Sequence, residues 1–407
     1  VDNIKTIFAS SILIKEFNKA ISHLDKREYD KAILLLNKVK RKQEFKEVWL
    51  NLGVAYKGKN NMPKVYECFD KALDPKLPLS DGTFKSDWSI ALSNLGLAYF
   101  AEEKDELAEI CYKKVLEKDP LYYDAIWNLS LVKLRQYCSN KFDDLALAWT
   151  YYTYRFKRTN ATKLTSDKPE LMLWDFTSVH KDSCVVVLLE QGMGDNIMFG
   201  RYLSELEKYF GKIWIQCTPD MASLFSKYHT ASSTSETDAE YTVPMCSLGK
   251  ILNYIPDGEW LADRYIEKPR SEKLEIMCIW AGNTAHVNAH NRNVPPGWFD
   301  KLKAYGNLHS VVPRKGYSYM EVKDWASTIK YLENIDIVVT IDSSVAHLCG
   351  SLGKPCLVLM PLYDSDFRWG DSSMGFDNKW YKSVKVIRNP HSWEKTFQTV
   401  HSCLSAL

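Results

Sequence analysis

Val185-Val186-Val187-Leu188-Leu189 runs into Glu190-Gln191-Gly192-Met193-Gly194-Asp195, and then into Met198, Phe199, Tyr202, Leu203 and Leu206. The first five residues form an apolar run of strand length, and the last five recur at helical spacing. Two glycines and a carboxylate therefore sit between a buried strand and a helix, which is how an α/β unit opens. Further strands read at 212–217, 275–280, 308–312, 335–341 and 356–359, with helical patterns between them. The segment 232–238 reads as a polar loop, and 257–273 as a polar linker. Two strand-helix series on either side of that linker predict two doubly wound lobes facing each other across a cleft, over 183–265 and 266–407.

The chain before this region has a different period. Over residues 1–155 the pattern repeats at about 34 residues, the length of one helix-turn-helix unit. Trp49, Leu52, Gly53, Tyr56, Phe69, Ala72 and Pro75 form one window, and Leu92, Leu95, Gly96, Tyr99, Ala108, Tyr112 and Pro120 form the next. Partial units flank them (Tyr29, Ala32, Leu36, Val39; Trp127, Leu129, Ala146, Trp149), as end repeats should. The region resembles a short tetratricopeptide (TPR) array, in which a large residue on one helix packs beside a small one on its neighbour. Such a stack either presents a concave face to a partner or braces the next domain. Residues 156–182, punctuated by Pro169, Leu171, Leu173, Trp174 and Phe176, read as an ordered connector.

A length of 407 residues calls for at least two hydrophobic cores. Apolar and charged fractions of 45% and 26% are those of a folded globular protein, and no stretch approaches the roughly 18 apolar residues of a membrane span. The N-terminal residues 1–19 carry lysines among helically spaced apolar residues, unlike a signal peptide. Ten cysteines without C-x-x-C pairing, among them Cys184, Cys278, Cys349 and Cys356 in apolar runs, read as reduced core thiols of a cytoplasmic protein. A net charge of +2 does not by itself call for a polyanionic partner. Lys38, Lys40, Arg41, Lys42 and Lys46 do cluster, either as a solvated helix face or as a phosphate-binding patch.

Three motifs lie at strand-to-helix junctions. In the first, Gly192 and Gly194 let the backbone approach a ligand, and Asp195 is either a general base or a helix cap. In the second, Asp342-Ser343-Ser344-Val345-Ala346-His347, hydroxyls and helix N–H groups make an anion site to which His347 adds a charge-assisted bond. Its plainer reading has Asp342 and Ser344 as caps and His347 as a core histidine. In the third, Trp280-Ala281-Gly282-Asn283 leads to Arg292, placed to reach a diphosphate or standing as a surface arginine. His286 and His290 have metal-like spacing without a third ligand, so no metal site is expected. Asp364-Ser365-Asp366 is a D-x-D triplet of the kind that holds manganese in sugar transferases of another fold. In a doubly wound protein it reads as accidental, with Arg368 and Trp369 beside it as cleft-lining residues.

The strings L-L-E-Q-G-M-G-D-N-I-M-F-G-R-Y-L (188–203), I-W-A-G-N (279–283) and D-I-V-V-T-I-D-S-S-V-A-H-L-C-G-S-L-G-K-P (336–355), with Arg368-Trp369, resemble bacterial TPR-containing glycosyltransferases. These are similar in turn to the family 9 ADP-heptose:lipopolysaccharide heptosyltransferases. The resemblance implies a GT-B fold, two Rossmann-like doubly wound lobes behind TPR-like helical repeats, in an α plus α/β chain. It implies an inverting transfer that requires no metal or other cofactor, from a nucleotide-diphosphate sugar to an acceptor hydroxyl. The family's catalytic carboxylate falls on Asp195. Its phosphate-binding strand-to-helix motif falls on Asp342, Ser343, Ser344 and His347, and its basic phosphate contact on Arg292; beside these, Gly192, Gly194 and Asn283 read as donor-binding residues and Trp280, Arg368 and Trp369 as cleft lining. Asn196-Ile197-Met198-Phe199 stand where heptosyltransferases usually carry a histidine, which points away from ADP-heptose. TPRs ahead of a GT-B unit also resemble the layout of O-GlcNAc transferase. Protein, glycan and hydroxymethylated DNA base are all chemically suitable acceptors, with the repeats as the element that holds a macromolecule. A binding scaffold with an inert GT-B half is the alternative.

Overall fold

The structure is a computed structural model describing residues 11–79, 88–158, 161, 172–173, 175–177, 179–256, 259–266, 272–284, 286, 288–388 and 392–406. Residues 1–10, Pro169, Leu171 and Trp174, and parts of the 257–273 linker lie outside the described residues. The chain divides into two compact units, Val1–Val132 and Lys133–Leu407.

The first unit is helical, with α1 (Ser11–Asp25), α2 (Tyr29–Lys42), α3 (Lys46–Gly58), α4 (Met62–Leu73), α5 (Ser89–Ala101), α6 (Asp105–Lys118) and the start of α7 (Tyr123–Cys138). One left-handed residue turns each pair: Arg27 between α1 and α2, Asn60 between α3 and α4, and Glu103 between α5 and α6, with φ of 58°, 56° and 58°. This conformation ends a helix in a single residue and lets the next one fold back. The large-beside-small packing is present in both best windows. A Cβ on Gly53 would lie 2.4 Å from the Phe69 ring, and one on Gly96 2.8 Å from that of Tyr112. The cations of the first repeats are mostly engaged locally. Lys38 and Lys42 pair with Glu16, Lys40 lies 4.2 Å over the Trp49 ring, and Lys46 is buried.

The second unit begins with the end of α7 and with α8 (Leu145–Tyr152), and continues into two parallel sheets. Strands β1 (Cys184–Leu188), β2 (Lys212–Gln216), β3 (His229–Ala231) and β4 (Tyr241–Pro244) form the first, in the order β3-β2-β1-β4. Strands β5 (Leu274–Ile279), β6 (Gly306–Ser310), β7 (Ser318–Tyr319), β8 (Ile337–Ile341), β9 (Cys356–Leu359) and β10 (Val384–Ile387) form the second, in the order β10-β9-β8-β5-β6-β7. Every residue of β1 and β8 is buried, which is why these strands are apolar throughout but for Thr340. The expected class therefore stands as far as helical repeats followed by parallel-sheet α/β lobes. The 232–238 loop is tied down, because Glu236 accepts from the Ser232 N–H and hydroxyl and Thr234 is buried. Among the described residues no helix is long and apolar enough to cross a membrane.

Strand order positions the site. In each sheet the sequence order reverses once, between β1 and β4 and between β8 and β5. Strands on either side of such a reversal send their following loops in opposite directions, leaving a crevice at their C-terminal ends. The three motifs of the sequence follow β1, β5 and β8.

Candidate functional site

The helix α9 (Met193–Phe199) starts on Gly192, whose N–H donates to Asp195 Oδ2 at 2.9 Å. Asp195 thus caps its own helix, and its other oxygen, Oδ1, accepts from Arg368 Nη2. Arg368 lies 173 residues later, in the turn Phe367–Trp369 of the second lobe. Its Nη1 is chelated by both oxygens of Asp366, at 2.8 and 2.7 Å. With its side chain only 8% exposed, this guanidinium joins a carboxylate of each lobe. Asp366 feels burial first, which raises it, but Arg368 outweighs that and holds its carboxyl below the usual range.

Asp342 follows β8 and is buried, accepting from Trp369 Nε1 at 3.0 Å. Burial, and then the negative charge of Asp366, push its carboxyl up to about 6. Ser343 caps the helix Ser344–Leu352, and its hydroxyl lies 3.0 Å from that of Thr340. Arg292, in the short helix Ala289–Arg292, is close enough to oppose the rise at Asp342 electrostatically. The Nε atoms of Arg292 and Arg368 are both buried without a hydrogen-bond partner. Unsatisfied guanidinium donors beside a helix N-terminus make a place for a multiply charged oxyanion.

His347 is buried in the helix Ser344–Leu352. Its ring stacks on Trp369 at 5.1 Å between centroids, and Nδ1 hydrogen-bonds the Tyr381 hydroxyl at 3.0 Å. Burial, with the Arg368 cation nearby, pushes it down to about 3, so the imidazole is neutral and adds no positive charge to an anion site. A Cβ on Gly194 would lie 2.9 Å from His347 Cδ2, so the helices following β1 and β8 touch here across the lobes. Trp260 strengthens that contact, its Nε1 donating to Ile197 O and Ser351 Oγ at 2.9 and 3.1 Å.

The other expected residues divide. Gly192 and Asn283 are exposed, and Ser343, Ser344 and Arg292 are half-buried around Asp342. Trp280 is partly buried and packs against Phe299 and Tyr317, with centroids 6.1 and 5.7 Å away. Asp366 of the D-x-D triplet is taken up by Arg368, and among the described residues no group of three or more His, Cys, Asp or Glu gathers as a metal site. Sequence reading passed over Glu190 and Arg155, which form a buried bidentate pair beside the Asp195 turn at 2.9 and 2.6 Å. The signal available was a charged residue directly after an apolar run, where a carboxylate drawn toward the interior needs a partner.

These carboxyl and imidazole groups have opposed pH effects. The folded state raises Asp342 above its ordinary 3.8, so this contribution to stability is full below about 4 and is lost as pH rises through about 6. It lowers His347 from 6.5, so that contribution is full above 6.5 and is lost on acidification toward 3. Asp342→Asn removes only the first. Urea denaturation of both proteins from pH 4 to 7 is expected to show the variant gaining on the wild type with rising pH, by on the order of 2–3 kcal/mol. Parallel curves would contradict the assignment.

Comparison with known proteins adds the following. Residues 90–120, spanning most of α5 and α6, match the tetratricopeptide-repeat model. No curated protein matches the chain. Among solved structures, MamA (AMB-1) aligns at 21% identity over 36% of this chain and 73% of its own, with a TM-score of 0.27. The iron-containing dodecameric glycosyltransferase TibC of enterotoxigenic E. coli aligns at 13% over 54% and 66%, with a TM-score of 0.37. An O-GlcNAc transferase of Thermobaculum terrenum aligns at 11% over 98% and 92%, with a TM-score of 0.36. Superpositions this loose carry no functional argument, which rests on the site.

Proposed function

We propose that this chain is a glycosyltransferase that moves a sugar from a nucleotide-diphosphate donor to an acceptor hydroxyl with inversion. The observation that carries the reading is the junction of Asp195 from one lobe with Arg368 from the other, at the crevice where both sheets reverse strand order. The diphosphate lies at the N-terminus of the helix Ser344–Leu352, against Ser343, Ser344, Arg292 and Arg368. Arg368 supplies the charge that His347 does not. Turning Nη2 from Asp195 to a phosphate oxygen keeps the Asp366 chelate and frees Oδ1 of Asp195. That oxygen then takes the proton of the acceptor hydroxyl, whose oxygen attacks the anomeric carbon from the face opposite the leaving diphosphate. Inversion follows from that approach.

The reaction as drawn needs no metal, because guanidinium groups and a helix terminus balance the leaving charge and Arg368 already occupies Asp366. Transfer is therefore expected to persist in excess chelator. A panel of nucleotide sugars crossed with protein, glycan and hydroxymethylated-DNA acceptors, read by mass spectrometry with and without chelator, tests this. Chelator-sensitive transfer restored by manganese would reinstate Asp364 and Asp366 as ligands. The inert-scaffold alternative predicts no mass gain on any acceptor.

A further inference from the structure

The turn that carries Asp195 does not hold its shape alone. Glu190 lies two residues beyond β1 with its side chain 6% exposed, and its partner Arg155, 4% exposed, comes from the turn Thr153–Lys157 that follows α8. Arg155 Nε and Nη2 donate to Glu190 Oε2 and Oε1 at 2.9 and 2.6 Å, and Nη2 also donates to Ser247 Oγ at 2.8 Å. Glu190 Oε1 accepts in addition from the Cys246 N–H at 3.0 Å, so the loops following β1 and β4 are tied together at the strand reversal. The next residue, Gln191, has φ of 60°, which a non-glycine side chain disfavours, and its Nε2 donates to the Tyr152 hydroxyl at 2.9 Å. One residue further on is Gly192, whose N–H fixes the Asp195 carboxylate.

We infer that Arg155 and Tyr152 are positioning residues for the Asp195 turn, so that the helical segment ahead of the α/β lobes sets the geometry of the base. The inference rests on the role of Asp195 proposed above. A buried guanidinium fork fixes the orientation of Glu190, and the phenol holds Gln191 in its left-handed conformation. The two contacts pin successive residues of one turn to one short element, so displacing that element displaces Asp195. Since α8 follows the repeats in the chain, a macromolecule that shifted this segment would change turnover without touching substrate.

The test uses the full-length protein with Glu190→Gln and, as a milder change that keeps the packing, Tyr152→Phe. Two readouts are taken: steady-state transfer, and backbone amide exchange followed by mass spectrometry. In Glu190→Gln, kcat is expected to fall roughly a hundredfold with donor KM changed less than about threefold, the effect of a base misplaced by about 1 Å. Exchange should quicken in peptides covering 188–198 and stay unchanged elsewhere. Tyr152→Phe should move both readouts in the same direction by a smaller factor. Unchanged exchange at 188–198 in both variants would overturn the inference, and so would faster exchange across the whole chain with kcat falling only as the folded fraction falls. A wild type inactive on every donor would sink the transferase reading instead. Exchange needs no substrate and would still decide whether Arg155 and Tyr152 hold the turn.

Discussion

Asp195→Asn is expected to lower transfer by roughly a thousandfold while leaving the fold and donor affinity nearly intact. The amide retains an oxygen for the Gly192 N–H, so the start of α9 keeps its cap. Arg368 keeps Asp366, so no cation is stranded, and the stability change should be on the order of 1 kcal/mol. What the amide cannot do is accept a proton. The effect should therefore fall on kcat, with donor KM little changed. Near-normal turnover of the purified variant, with its fold verified by thermal melting, would remove Asp195 from the role of base and leave it as a cap.

The second large effect is expected at Arg368. Arg368→Met leaves the buried Asp342 and the half-buried Asp195 and Asp366 together without the guanidinium that joins the last two. Removing one side of such a pair typically costs about 3–5 kcal/mol, and denaturant unfolding at pH 7 should show a loss of that size. Part of the loss should be recovered by acidification, since protonated carboxyls no longer repel one another. Donor affinity should fall by roughly a hundredfold, because the same side chain is the charge that turns to the diphosphate. Arg368→Lys separates the two roles. It keeps the charge but not the fork, so it should recover stability better than it recovers binding. Full donor affinity in Arg368→Met would place the diphosphate elsewhere.

The features legible in the sequence are those set by local period. Gly53 with Phe69 and Gly96 with Tyr112 showed the repeats, because close helix packing demands a small residue opposite a large one. The five-residue buried runs of β1 and β8 showed strands covered on both faces. The features that were not legible depend on which distant residues meet after folding. Nothing near Asp366 announces that Arg368 reaches Asp195, and D-x-D spacing suggested a metal or an accident rather than a chelate around a guanidinium. His347 has two readings in the sequence, a charged phosphate contact at a helix start and a core histidine. Its neutrality comes from burial against Trp369 and from Arg368, neither of which its own motif contains. That Trp280, at a strand end, rests its ring against Phe299 is likewise a contact between residues distant in sequence.

The most direct test of the account is release of nucleoside diphosphate from a panel of nucleotide sugars, followed by mass spectrometry in parallel for the wild type and Asp195→Asn. The account predicts release from at least one donor by the wild type, accelerated by the matching acceptor, and release at least about a hundredfold slower in the variant. No release from any donor, or equal release by both proteins, would contradict it.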